Sequence, residues 1–134
     1  MGKKNHVEHA AHNEKVCNYL KKSPQYSDWV ITVAFYSAMH YIRHLIVPQK
    51  IEGSTYNDFE EIFKLKKSPG DGRHGFQKTY VAIHHMDIYH DYSKLHEMSE
   101  FSRYHTYEYT REDSKKACEY LENIKIYTKE KKVF

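Results

Sequence analysis

The stretch SDWVITVAFYSAMHYIRHL, Ser27 to Leu45, is the most apolar part of an otherwise polar, basic chain. At helical spacing it carries one apolar stripe of Ile31, Phe35, Met39, Ile42 and Ile46, and a second of Val30, Ala34, Ala38, Tyr41 and Leu45. A helix apolar over so much of its circumference must be covered by other elements, so it is predicted to be the central helix of an all-α domain. Its remaining face holds Val33, Ser37, His40 and His44, with Tyr36 and Arg43 at the margins. The polar residues are gathered on one side, and a site on the central helix would have to be built there.

The flanking segments supply the cover. From Asn5 to Lys22 the residues Val7, Ala10, Ala11, Cys17 and Leu20 share a face, with Asn13 and Val16 beside it, and Ser23-Pro24 stops the helix. Ser27 is the expected N-cap of the central helix, Asp28 sits well in its first turn, and Pro48 ends it. Residues 48–75 are expected to be mainly loop, with a short helix near Tyr56 to Lys66 and a turn at Ser68 to Gly72 (SPGDG). Lys64, Lys66, Lys67 and Arg73 make that loop the most basic local patch, which reads as a solvated surface. Helix resumes near Arg73, with Phe76, Tyr80 and Ile83 on one face, and then Ile88, Tyr92, Leu95, Ser99 and Ser102 to about His105. Periodicity leaves open whether this is one helix or two broken around Asp87. Thr110 and Asp113 form a capping-box-like start for a last helix bearing Ala117, Tyr120, Leu121, Ile124 and Tyr127, and the basic tail 129–134 is expected to fray. The sum is a single all-α domain over residues 1–134, an up-and-down bundle of four to five helices.

Composition narrows the class further. With 134 residues, 40% hydrophobic and 29% charged, the chain suits one globular domain. A net charge of +3 permits contact with nucleic acid without demanding it. The 13 Tyr and 11 His fit stacking platforms beside phosphate contacts, and equally a compositional bias toward Lys, Tyr and Ile. The longest run without a strongly polar residue, Trp29 to Met39, is too short to span a bilayer. No export signal stands at the N-terminus, so the expectation is an intracellular, cytoplasmic protein with no membrane partner. Cys17 and Cys118 form no CxxC pair; a disulfide between them is the weaker alternative, and two reduced thiols are expected.

Few motifs carry chemistry. Neither GxxxxGK[ST] nor GxGxxG occurs, no serine or cysteine sits in a nucleophile motif, and the acids are scattered over exposed faces. His40 and His44 form an i, i+4 pair that would suit one metal ion, but Tyr41 stands where the zinc-protease signature needs Glu. Spacing selects no third ligand between His84 and His96, so neither a metal nor another cofactor is expected. Arg103 follows Ser99 by one helical turn, and a helix packed on the central one would bring it toward the Ser37 and His40 stripe. A buried arginine must be paired, or face a pocket or partner.

Three stretches together resemble the small prokaryotic proteins of the HEPN superfamily: HxxHNE at His9 to Glu14, YSDWVITVAFYSAMHY at Tyr26 to Tyr41, and YxxLxxxSxxxRY at Tyr92 to Tyr104. The likeness covers most of the chain in matching order. It implies an up-and-down helical bundle, usually a homodimer, in a superfamily that includes metal-independent ribonucleases of toxin–antitoxin, stress and antiviral systems as well as noncatalytic modules. The active members are similar in carrying an Arg separated by about four to six residues from a following His, a pair suited to acid–base work on the RNA 2′-hydroxyl and to stabilising phosphate charge. This chain departs from that pattern. Arg43, Arg73 and Arg103 are followed by His44, His74 and His105 with zero, zero and one residue between, and no His follows Arg111. Residues two apart on a helix point about 200° from each other.

Two functions follow as expectations. The first is an RNA-directed HEPN-like protein, a ribonuclease whose catalytic residues are His40, Arg103, Tyr104 and His105, with Ser37, His44 and Asn13 as binding residues and an antitoxin or other protein as partner. The alternative is a noncatalytic helical module that dimerises or binds a protein or small ligand, for which the missing Arg and His spacing speaks.

Overall fold

The computed structural model describes residues 5–104 and 109–132. Six α-helices account for most of them: α1 (His6–Leu20), α2 (Ser27–Ile46), α3 (Phe59–Lys66), α4 (Arg73–His84), α5 (Tyr89–Tyr104) and α6 (Arg111–Lys131). A two-stranded antiparallel hairpin, β1 (Gln49–Ile51) and β2 (Ser54–Tyr56), lies between α2 and α3. The all-α expectation holds, with one helix more than the upper count.

α2 is the hub. Val30, Ile31, Ala34, Phe35, Ala38, Tyr41, Ile42 and Ile46 are each at most 1% exposed. α1, α5 and α6 pack along it and α4 touches its C-terminal half. Cross-helix contacts set the directions. Ser37 meets Ala10 and Cys17 meets Val30, so α1 runs antiparallel to α2. Ser102 binds the Asp28 carbonyl, while Gln77 near the start of α4 binds Met39 and Tyr92, so α5 also opposes α2. Glu14 and Lys125 join α1 to α6 at 2.9 Å.

Helix ends follow local chemistry. Asn5 caps α1 through its Oδ1, which accepts the Glu8 N–H at 2.8 Å. The Thr110–Asp113 capping box at α6 is complete, with Asp standing in for the usual Glu or Gln. Ser27 does not cap α2. A 3₁₀ turn over Pro24–Tyr26 feeds directly into the helix, and the Ser27 hydroxyl donates back to the Pro24 carbonyl at 2.8 Å. A second 3₁₀ turn, Met86–Ile88, separates α4 from α5, so the run expected around Asp87 is two helices.

The 48–75 region is more ordered than a loop. β1 and β2 turn through Glu52 and Gly53, both at positive φ (50° and 85°), the backbone of a two-residue hairpin turn that matches strand twist. α3 buries Phe59, Ile62 and Phe63. Residues 129–131, expected to fray, are helical, and the Lys132 ammonium donates to the carbonyls of His44 and Val47 at the C-terminal end of α2. Cys17 and Cys118 are free thiols in contact across α1 and α6, at 3.8 Å between Sγ atoms. No helix among the described residues is long and apolar enough to cross a membrane.

Because α2 is covered on most of its surface, its two ends should respond differently to truncation. Ile42→Ala should destabilise the fold by about 2–5 kcal/mol in urea unfolding, as a large-to-small change at a closed site does. Trp29, 57% exposed, should tolerate Ala within about 0.5 kcal/mol.

Candidate functional site

The antiparallel pairing of α1 with α2 decides where the polar stripe goes. Ser37 is fully buried, and its hydroxyl donates to the Ala10 carbonyl at 2.7 Å. It closes the α1–α2 seam and does not line an open site. One turn further along α2, His40 meets two imidazoles from the first turn of α1. The His9 ring stacks on it at 4.8 Å between centroids and 16° between planes, and His6 at 5.5 Å and 26°. The Nδ1 atoms of His6 and His40 are 3.3 Å apart, a hydrogen bond in which one ring donates and the other accepts.

Arg43, three residues after His40, carries the positive charge of this cluster. Its guanidinium carbon sits 4.3 Å from the centroid of Phe59, over the ring face. Its Nε donates to Gln77 Oε1 at 2.8 Å. Gln77 is fully buried, and its amide orientation follows from its other bonds, in which Nε2 donates to the Met39 carbonyl and to the Tyr92 hydroxyl, each at 3.2 Å. α2, α3 and α4 thus hold one side chain. No carboxylate among the described residues stands within ion-pair distance of Arg43. The nearby Glu60 is engaged by Arg73 through two bonds, at 2.6 and 2.8 Å.

Electrostatics follow from that layout. Burial, then the Arg43 charge, pushes His6 and His40 down from 6.5 to about 4. His44 and His9 add to the depression of His6, and Asp58 opposes it. Both imidazoles are therefore neutral at pH 7, available as hydrogen-bond donors and proton acceptors. Burial lowers Arg43 as well, with Tyr92 and Glu60 opposing, but a guanidinium stays charged.

The residues singled out in the sequence distribute as follows. His40 is at the centre of the cluster, and half-buried His44 lies one turn further along α2, close enough for its charge to reach His6. Asn13 lies on α1, half-buried, one turn beyond Ala10. Arg103 and Tyr104 belong to the last turn of α5 by their backbone, but their side chains, and His105 entirely, lie outside the described residues. Ser102, beside Arg103, binds Asp28 and Thr32 near the start of α2. His40 is eight residues past Thr32, about 12 Å along the helix axis. The arginine that the backbone brings to His40 is Arg43, and the partners missing from the sequence reading are His6, His9 and Gln77. His6 and His9 had a signal: with Ala10 and Cys17 they follow the i, i+3, i+4 face that packs on α2.

The stacked arrangement of these rings does not converge on a point, and no group of three or more His, Cys, Asp or Glu among the described residues is arranged to hold a metal ion. Comparison of the chain with protein-family models, with curated proteins and with solved structures finds no match.

The depressed imidazoles predict how stability depends on pH. Each has a folded pKa below its unfolded value, so its contribution is complete above about pH 6.5 and is lost as pH falls toward 4. After allowance for partial exposure, the loss is on the order of 1 kcal/mol per ring. Urea midpoints measured between pH 6.5 and 5 should decline, and His40→Phe should make that decline shallower.

Proposed function

We propose that the cluster of His6, His9, His40, His44 and Arg43 binds the phosphate backbone of RNA, and that the protein is a HEPN-like, metal-independent ribonuclease. The observation that carries this reading is Arg43. It is a half-buried guanidinium held between Phe59 and Gln77, beside neutral imidazoles, without a carboxylate partner among the described residues. A cation kept in that state has unmet demand for an anion, and an RNA phosphodiester supplies one. The resemblance of His9 to Glu14, Tyr26 to Tyr41 and Tyr92 to Tyr104 to HEPN proteins points to the same substrate.

The chemistry follows from the groups present. A neutral imidazole takes the 2′-hydroxyl proton while Arg43 stabilises charge developing on the phosphoryl oxygens. The 2′-oxygen attacks phosphorus, the bond to the 5′-oxygen breaks, and an imidazolium returns a proton to the leaving oxygen. A bound phosphate offsets the Arg43 charge and raises the imidazoles from about 4 toward the pH at which such transfer is efficient. The His6–His40 hydrogen bond gives the base a fixed tautomer and a neighbour to share the proton with. A homodimer is the assembly that this reading expects, and an antitoxin is the kind of partner that would restrain it.

A noncatalytic module remains the competing reading because no Arg and His pair in the chain has the spacing seen in active HEPN proteins. The two part in one assay. Purified protein incubated with mixed RNA in the presence of EDTA should cleave it, and Arg43→Ala and His40→Ala should each reduce the rate on the order of 10²-fold. Arg103→Ala should have a smaller effect. Cleavage that survives both Arg43→Ala and His40→Ala would place the chemistry elsewhere, and salt-dependent binding without turnover would favour the noncatalytic module.

A further inference from the structure

The second concentration of reactive groups lies at the opposite end of α1 from the histidines. Cys17 from α1 and Cys118 from α6 are separated by 101 positions in sequence, yet their Sγ atoms are 3.8 Å apart. The two thiols are not equivalent. Cys17 is 1% exposed, and its Sγ lies 3.6 Å from the Val30 carbonyl, buried against α2. Cys118 is partly exposed and lines an open surface groove with Lys21, Arg111, Ser114, Lys115 and Glu119. One sulfur is therefore accessible and the other is held behind it.

We propose that Cys118 and Cys17 form an oxidation site for hydroperoxides, with Cys118 as the attacking sulfur and Cys17 as the resolving thiol that closes a disulfide between α6 and α1. A hydrogen bond joins the two sulfurs, and the Cys17 S–H, which also reaches the Val30 carbonyl, favours the Cys118 thiolate when it turns toward Cys118. That hydrogen bond, with the Lys21 charge helping against burial and Glu14, brings Cys118 down from 9.0 to about 7. The same contact and burial push Cys17 up, so it stays a thiol until its partner is oxidised.

The two steps balance. The Cys118 thiolate attacks one peroxide oxygen, the O–O bond breaks, an S–O bond forms, and hydroxide leaves to be protonated to water; sulfur is oxidised and the peroxide reduced. The Cys17 sulfur then attacks Cys118 Sγ. The S–S bond forms, the S–O bond breaks, and the departing hydroxide takes the Cys17 proton as a second water. The sulfurs are already in contact at 3.8 Å and must close to the roughly 2.05 Å of a disulfide bond. The bond would close a loop of about 100 residues and lower the entropy of the unfolded chain, stabilising the bundle while leaving the histidine end untouched.

Intact-mass measurement of the full chain after treatment with stoichiometric hydrogen peroxide tests this directly. The expected result is a loss of about 2 Da, disappearance of both free thiols under denaturing conditions, and full reversal by dithiothreitol. In Cys17→Ser, dimedone should label Cys118; in Cys118→Ser, dimedone should label nothing. The proposal is overturned by persistence of both thiols, by a gain of two or three oxygens on Cys118 with Cys17 still free, or by dimedone labelling of Cys17. Intermolecular cross-links in place of the internal bond overturn it too. The wild-type mass needs no variant, so the test stands even where a serine substitution disturbs folding.

Discussion

Burial of α2 is the constraint on which the structure depends. Its apolar residues reach so far around the helix that only a surrounding set of elements can cover them, and α1, α4, α5 and α6 do so. Encirclement also dictates how polar groups on that helix are satisfied. Ser37 donates to Ala10, Thr32 shares the Asp28 carbonyl with Ser102, the Met39 carbonyl accepts a hydrogen bond from Gln77 Nε2, and Lys132 meets the carbonyls at the C-terminal end. Each bond joins α2 to its neighbours or closes one of its ends, as buried polar groups require.

The histidine cluster is a product of that packing. Because α1 runs antiparallel to α2, its first turn lies against the C-terminal half of α2, and His6 and His9 land on His40. Arg43 points past this seam toward α3 and α4, where Phe59 and buried Gln77 fix it. A fixed, half-buried guanidinium beside the neutral imidazoles of His6 and His40 is costly to maintain if it serves packing alone, since apolar residues of similar volume would fill the same seam. That asymmetry favours a ligand role over a structural one.

Much of the architecture is legible from helical periodicity, since the stripes of α1, α2 and α6 repeat at 3.6 residues and Asn5, Thr110 and Pro24 mark ends. The hairpin is not legible that way. Three-residue strands such as Gln49–Ile51 and Ser54–Tyr56 are too short to show alternation, and the Glu52-Gly53 turn is a weak form of the usual Asn-Gly or Asp-Gly signal. Ser27 misleads because it has an N-cap's chemistry, but a 3₁₀ turn already occupies the position before it. The site is half legible. His40 lies on the polar stripe of α2, whereas its neighbours depend on which helix covers that stripe, a tertiary fact that no local pattern contains. Contact between Cys17 and Cys118, so far apart in sequence, is hidden for the same reason.

The central claim is that Arg43 and the imidazoles beside it form an anion site and not a packed polar seam. Proton NMR titration of the imidazole C–H resonances, in the free protein and with a 2′-deoxy-substituted RNA that cannot be cleaved, measures this at the atoms concerned. His6 and His40 should titrate near 4 in the free protein, move toward neutrality when the oligonucleotide binds, and lose that shift in Arg43→Ala. Imidazoles that keep their titration unchanged at saturating RNA, while resonances elsewhere respond, would contradict the account.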